Sequence, residues 1–404
     1  MARQYCEQEL GKAGSVRSLG KEHKSDIEYR ISDIEIITQR HEDSKNNPCG
    51  FVPLCEKRFD VLNTSRELGM NMRNDARIII LPLMIILLCL HTGCGKRHEE
   101  MTKVSYRLKW LFNASVAGDI YAGSHGFFEK EGLAVEVKEG GPERDAIKEL
   151  EMGHAQFGVA SADQVIRAVS KGAPVVVLAQ LFQANPLQWI YRPDENKIDK
   201  PEDMKGKAVG ITFGGNDETI MRALLAKYGI KENEVNLFSV RYDYTPFYER
   251  KVALWPVYRN AQGIIIGDQL EKAGESAAFF DPDASGIRFV ANSVITTEKM
   301  IKEHPETVKK FVSALMKAWN EALNPVNSDK TVETILEFDK DTSSDVIRRQ
   351  LDITRQFMKP SGKTVFGAID IAAWKQTESI MLEQKLIPAP VDIEKRLKTE
   401  YARQ

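Results

Sequence analysis

Four short stretches carry the residues that could recognise a small molecule. The first holds Trp110, Asn113 and Ser115, within LKWLFNASVAGDIYAGSHGFF at 108–128. An apolar run at 104–110 predicts a strand, a polar turn follows it, and a helix begins near residue 120. Such a turn leaves backbone N–H groups at the carboxyl end of a strand, where open α/β sheets bind ligands. Trp110 offers a stacking face, and Asn113 offers a donor and an acceptor. A core aromatic and a helix cap would equally account for those two residues. The second stretch is Ser161 with Asp163, after the apolar AQFGVA at 155–160; Ser161 could donate to a ligand or cap the next helix. The third is Gly214-Gly215-Asn216-Asp217-Glu218. Its glycines let backbone N–H groups approach a ligand, an anion above all, although Asn216 or Asp217 could be a plain N-cap. The fourth joins Tyr242 and Asp243 to Trp255, Tyr258, Arg259 and Asn260.

The candidate contacts from these stretches are Trp110, Asn113, Ser115, Ser161, Asp163, Gly215, Asn216, Glu218, Tyr242, Asp243, Trp255 and Tyr258, together with Trp189. Aromatic residues are frequent around the turns, with Phe112, Tyr191 and Tyr244 adding to those named. Several rings at strand ends favour a flat, conjugated ligand held by stacking, with carboxylates and amides reading its edge. Nitrate would not need them, and a sulfonate would draw on hydroxyl and backbone donors and on Arg259. A heteroaromatic ligand such as a pyrimidine or a vitamin precursor is therefore preferred over an alkanesulfonate. His125, His154 and His304 lack the spacing of metal ligands. No GxSxG, Walker or dinucleotide motif is present. Neither a cofactor nor catalysis is expected.

The elements that must position these turns alternate. Strands are predicted at 104–110, 134–138, 155–160 and 174–180, with helices at 120–131, 143–152 and 163–170 between them. A second series runs from a strand at 207–211 through a helix at 218–228 to strands at 234–240 and 263–267. Helices at 304–323, 328–338, 344–358 and 371–384 follow, with a last one at 393–402 after Pro388-Ala389-Pro390. The regular alternation indicates α/β units with mostly parallel sheets. The expected architecture has two lobes, 103–188 plus 287–404 and 189–286, joined by two crossings with a cleft at the hinge. Over 404 residues, 42% hydrophobic and 28% charged residues with a net charge of -2 describe a globular chain and make no case for nucleic acid.

All five cysteines, Cys6, Cys49, Cys55, Cys89 and Cys94, precede residue 95. A thiol-free remainder suits an oxidising compartment and leaves no thiolate chemistry there. IIILPLMIILLCL at 78–90 follows Arg73 and Arg77 and has signal-peptide length. With Thr92-Gly93 before Cys94, residues 70–94 resemble a bacterial lipoprotein signal with Cys94 as the lipidated residue. His91 stands where leucine is usual, and an uncleaved anchor is the other reading. Residues 1–69 are polar and without period. They are expected to be an over-extended start, with initiation at Met70 or Met72, or else a disordered tail. Residues 95–102 would form a tether.

From residue 103 onward the chain resembles the substrate-binding proteins of ABC importers, in particular the thiamine-pyrimidine-precursor and sulfonate group. The likeness rests on Lys109-Trp110, Asn113-Ala114 and Ala117-Gly118, and on GFFEKEGLAVEV (126–137) with the glycine-proline turn at 140–142. HAQFGVASADQVIRAVSKGAPVVVLAQ (154–180), DMKGKAVGITFGGNDETIMRALL (203–225), VRYDYTP (240–246) and EKMIKEHPETVKKFVSALMKAWNEAL (298–323) extend it. The resemblance implies a two-lobed type II periplasmic-binding-protein clamshell that closes on its ligand. It also implies partnership with a permease and an ATPase, a monomer, and a place in the periplasm or at the cell surface, tethered through Cys94. Thiamine-precursor members commonly carry Phe-Pro-Asn and then Asp-His where this chain has Leu111-Phe112-Asn113 and then Ser115-Val116. The missing histidine, and the absence of cysteine after Cys94, argue against the related pyrimidine-building enzyme.

Overall fold

The computed structural model describes residues 100–141, 143–241, 243–360 and 365–402. The apolar run at 78–90, Cys94, Pro142 and Tyr242 lie outside the described residues, so the expectations attached to them are not addressed by it. The described strands are β1 (Thr102–Arg107), β2 (Leu133–Lys138), β3 (Phe157–Ala160), β4 (Val175–Gln180), β5 (Leu187–Tyr191), β6 (Ala208–Ile211), β7 (Asn236–Ser239), β8 (Leu254–Tyr258), β9 (Ala278–Phe280) and β10 (Ser293–Thr297). They form two sheets, ordered β2-β1-β3-β10-β4 and β7-β6-β8-β5-β9.

The two sheets repeat one plan. In the first, β1 is parallel to β2 and β3, while β10 runs antiparallel to both β3 and β4. In the second, β6 is parallel to β7 and β8, while β5 runs antiparallel to both β8 and β9. The antiparallel strand is in each case the one that has just arrived from the other sheet. The two crossings, 181–186 and 281–292, lie side by side. Leu181 N–H donates to Asn292 O at 3.0 Å, and Asn185 Nδ2 donates to Phe289 O at 2.8 Å. The result is the two-lobed clamshell of a type II periplasmic-binding protein, with helices covering both sheets.

Helices in the first lobe are α1 (Ala117–Ser124), α2 (Ala146–Glu151) and α3 (Ala162–Val169). The second lobe carries α4 (Asn216–Lys227), α5 (Thr245–Tyr248) and α6 (Gln262–Lys272). Then follow α7 (Glu298–Glu303), α8 (Pro305–Ala322), α9 (Ser328–Leu336), α10 (Ser344–Met358) and α11 (Ile371–Glu383). Every residue of β4, VVVLAQ, is buried, because helices cover both faces of its sheet. Helix α8 starts on Pro305, whose missing N–H costs nothing at that position, and buries Val308, Phe311, Val312, Leu315 and Trp319 along one stripe. Phe311 stacks on Phe157 with ring centroids 3.7 Å apart and meets the ring of Tyr106 edge-on at 5.0 Å. Gly118 allows α1 to touch α8: a Cβ there would lie 2.0 Å from the Trp319 ring.

Three predicted elements are corrected. GIIIG at 263–267 belongs to helix α6, not to a strand. A short apolar run cannot be assigned by period alone, and Gly263 and Gly267 sit one helical turn apart, with Gly263 letting the helix close on Phe279. The helix expected at 120–131 ends at Ser124, and a 3-10 turn at Glu129–Glu131 finishes on Gly132 in the left-handed conformation. The helix expected at 393–402 is only a 3-10 turn, Ile393–Arg396. Beyond it Leu397 bridges Val177, and Tyr401 and Ala402 pack into the first-lobe core. No helix of the described residues is long and apolar enough to cross a membrane.

Candidate functional site

The turns that follow β1 and β6 face one another. Each is shaped by backbone hydrogen bonding. After β1, Asn113 Oδ1 accepts from Ser115 N at 2.8 Å and starts a 3-10 turn that leads into α1. Gly140 supports this turn from behind, since a Cβ there would lie 2.1 Å from Leu108 O. After β6, Gly214 takes φ +83, Gly215 N donates to Thr212 O at 2.7 Å, and Gly214 N donates to Glu218 Oε2 at 2.7 Å.

Between the lobes lies a cavity of about 290 Å³. The first lobe brings Lys109, Trp110, Asn113 and Ser115 to it. From the second come Thr212, Asn216, Asp217, Arg241, Tyr244, Trp255 and Tyr258. Trp255 meets Tyr244 edge-on at 5.7 Å, so its plane is held by a neighbouring ring. Lys109 Nζ reaches Tyr258 Oη at 3.3 Å from the opposite lobe. Asn292, on the second crossing, also lines it, and its Oδ1 is buried without a partner among the described residues.

Asp217 is the buried acid of this cavity. Burial pushes its carboxyl up to about 6, against the N–H of Thr212, which donates to Oδ2 at 2.5 Å and lowers it. Asn260, fully buried beside the cavity, donates through Nδ2 to Ser115 Oγ at 3.0 Å and to Thr354 Oγ1 at 2.9 Å. It therefore ties the second lobe to the first-lobe turn and to α10.

A second cavity, of about 370 Å³, shares Lys109, Gly215 and Asn216 with the first. Ser161 and Asp163 line it, bonded to each other by Ser161 Oγ donating to Asp163 Oδ1 at 2.6 Å. Ser161 also heads α3 in a capping box with Gln164.

Of the residues singled out in the sequence, Trp110, Asn113, Ser115, Gly215, Asn216, Trp255 and Tyr258 meet around the first cavity, while Ser161 and Asp163 stand at the second. Three lie elsewhere. Trp189 is fully buried in the second-lobe core, and its indole N–H is spent on Gly210 O at 2.9 Å. Glu218 turns back to hold Gly214 N and pairs with Arg222 at 2.8 Å. Asp243 turns to the backbone just ahead of α5, accepting from Thr245 N at 3.0 Å. The N–H groups of Gly214 and Gly215, expected to approach an anion, are both taken inside the turn. Lys109, Thr212, Asp217, Arg241 and Asn292 were not among the candidates. Thr212 and Arg241 immediately follow the strands expected at 207–211 and 234–240 and Lys109 falls at the end of the one expected at 104–110, a signal that could have found them; Asp217 lies in the third stretch, where it reads only as an N-cap, and nothing local marks Asn292. Among the described residues no three His, Cys, Asp or Glu side chains gather as metal ligands would.

The NMT1/THI5-like family model matches residues 113–328, more than half of the chain, and the chain belongs to that family. The riboflavin-binding protein RibY of Chloroflexus aurantiacus is 23% identical over 80% of this chain and 97% of its own length. The formylaminopyrimidine-binding protein of Halalkalibacterium halodurans is 24% identical over 78% of this chain and 96% of its own. Among solved structures, the periplasmic aliphatic sulphonate binding protein SsuA of Escherichia coli superposes with a TM-score of 0.60 at 17% identity. That superposition covers 75% of this chain and 99% of SsuA.

Proposed function

We propose that this member of the NMT1/THI5-like family is the extracytoplasmic substrate-binding subunit of an ABC importer, and that it captures a small heteroaromatic molecule between its lobes. The observation that carries this reading is the aromatic cavity itself. Trp110, Tyr244 and Tyr258 wall it from both lobes, backed by the buried Trp255, and Asp217, Asn113 and Asn292 supply polar atoms at its edge. Rings bind a flat face, and a buried carboxylate selects ring N–H donors over neutral hydrocarbon. At about 290 Å³ the cavity stands at the small end for ligand sites and suits a single ring better than a large fused system. Two full-length relatives are named for heteroaromatic ligands, riboflavin and a formylaminopyrimidine.

Capture is by closure of the lobes, 103–188 plus 287–404 against 189–286, without covalent chemistry. Delivery is to a permease and its ATPase by a monomer tethered through a lipid on Cys94.

An alkanesulfonate is the second reading. It is supported by the likeness to the Escherichia coli sulphonate binding protein and by Arg241 in the cavity wall. A thermal-shift panel of pyrimidines, flavins, alkanesulfonates and nitrate separates the two, because a binder raises the melting temperature by mass action. Shifts confined to the sulfonates would replace the heteroaromatic reading, and no shift with any of these compounds would remove both.

A further inference from the structure

The second cavity of the cleft has a chemistry of its own. Its wall carries four cations: Lys109 on the first-lobe turn, Lys148 on α2, Arg167 on α3 and Lys171 just beyond it. None of the four makes an ion pair among the described residues. This is unusual for the chain's arginines. Arg107, Arg144, Arg192, Arg222, Arg250, Arg288, Arg348, Arg349, Arg355 and Arg396 are all paired with carboxylates. Among the described arginines Arg167, Arg241 and Arg259 alone are not, and each of the three faces a cavity.

Three carboxylates, Asp145, Glu151 and Asp163, share the wall and leave it one positive charge in excess, with two of them oriented by local hydrogen bonds. Asp145 Oδ1 caps α2, accepting from Ile147 N at 2.8 Å and Lys148 N at 3.3 Å, and Asp163 Oδ1 is held by the Ser161 hydroxyl. The helices α3 and α4 both begin at this wall, at Ser161 and Gly215, and add the partial positive charge of their N-termini. Asn216 Nδ2, at the boundary shared with the aromatic cavity, is buried without an acceptor among the described residues. Unpaired cations, two helix starts and an orphan donor describe a place for negative charge.

We propose that this compartment receives an anionic extension of the ligand, a phosphate ester, carboxylate or sulfonate, while the ring occupies the aromatic cavity beside it. The inference rests on the cleft being the binding site, as proposed above, and adds the charge of what it takes. Asn216 would read the junction between ring and extension. Lys148 and Lys171 are exposed, so salt screens this attraction and its contribution falls as ionic strength rises.

The test uses matched pairs on the full chain by isothermal titration: riboflavin against its 5′-phosphate, and 4-amino-5-hydroxymethyl-2-methylpyrimidine against its phosphate. The acidic member of a pair is expected to bind at least tenfold tighter at 20 mM salt, with the gap narrowing at 500 mM. In the Lys148→Gln/Arg167→Gln/Lys171→Gln variant its affinity should drop to that of the neutral member, and Lys171→Glu alone should move it the same way. Lys148 and Lys171 are exposed and Arg167 is half-buried, and an apo melting curve checks that the variants remain folded. Equal affinity within both pairs, or a gap that survives the triple substitution, overturns the inference. If neither pair binds and hexanesulfonate does, the heteroaromatic reading has failed on its own. The present inference then stands or falls on whether the triple variant loses hexanesulfonate.

Discussion

Asn260 Nδ2 lies 3.0 Å from Ser115 Oγ and donates to it, so a fully buried amide of the second lobe is bonded to the first-lobe turn at the mouth of the cleft. The same nitrogen reaches Thr354 Oγ1 on α10 at 2.9 Å. One side chain thus connects three parts of the molecule whose relative positions define the cavity.

Asn260→Ala should weaken this arrangement. Losing buried hydrogen bonds of this kind costs about 1–2 kcal/mol. If closure depends on them, ligand affinity falls roughly tenfold. Titration calorimetry reads the affinity, and small-angle scattering reads the mean lobe separation. Unchanged values in both would show that the bond merely decorates a hinge held by other contacts.

The two tryptophans Trp110 and Trp189 should behave in opposite ways. Trp110 lines the cavity, so Trp110→Ala is expected to lower affinity about tenfold or more while shifting the melting temperature little. Trp189 is core, so Trp189→Ala should cost about 3–5 kcal/mol of stability. Urea melts beside titrations distinguish these outcomes; a stability loss at Trp110 as large as that at Trp189 would remove its assigned role.

Affinity should depend on the protonation of Asp217. Burial pushes its carboxyl up to about 6, and a ring N–H donor favours the ionised form. Binding of such a ligand should therefore be full above pH 7 and weaken as pH falls through about 6. Asp217→Asn should flatten that profile. A ligand whose affinity is level from pH 5 to pH 8 does not use this carboxylate.

A second buried acid governs stability and not binding. Asp119 is held in the first-lobe core, with Oδ1 accepting from Tyr106 Oη at 2.6 Å and Trp319 Nε1 at 3.4 Å, while Oδ2 has no partner among the described residues. Burial pushes its carboxyl up to about 7, well above its unfolded value. The folded state therefore keeps a proton that the unfolded chain releases. The resulting stability is complete below about pH 4 and is lost as pH rises through about 7. Asp119→Asn keeps the acceptor for Tyr106 and removes the ionisation. The variant should gain about 3 kcal/mol on the wild type between pH 4.5 and pH 8 in urea melts. Parallel pH profiles would show that the carboxyl is already ionised in the core.

Gly118→Ala tests the contact between α1 and α8. The added carbon would lie 2.0 Å from the Trp319 ring, so either the ring or one of the helices must move. A loss of about 1–3 kcal/mol is expected, read from the melting temperature. An unchanged melt would mean that Trp319 has room to rotate away.

The alternation of short strands and helices was legible because it is local. Hydrophobic period and glycine or proline breaks over about ten residues place an element, and the two-lobe plan follows from their order. Ser344–Met358 came out with its observed bounds. What failed locally was GIIIG, where five residues are too few to separate a strand from a helix. The site was legible only as a set of turns. Trp110, Asn113 and Ser115, named because they follow a strand end before a helix, line the cavity, whereas Glu218 and Asp243, named by the same rule, are held in local hydrogen bonds away from it.

Only the tertiary structure decided between Trp189 and Trp255. Both are aromatics on short apolar strands, and nothing in their neighbourhoods ranks one above the other. The pairing of β5 with β8 sets Trp189 opposite Pro256 and Trp255 opposite Ile190. Paired residues share a face and successive residues alternate, so the two rings point to opposite sides of one sheet. Both rings are buried, and one register sets Trp255 against Tyr244 in the cavity wall and Trp189 on the other face of the sheet in the second-lobe core. That register is settled by contacts between strands more than fifty residues apart, which no reading of either strand alone contains.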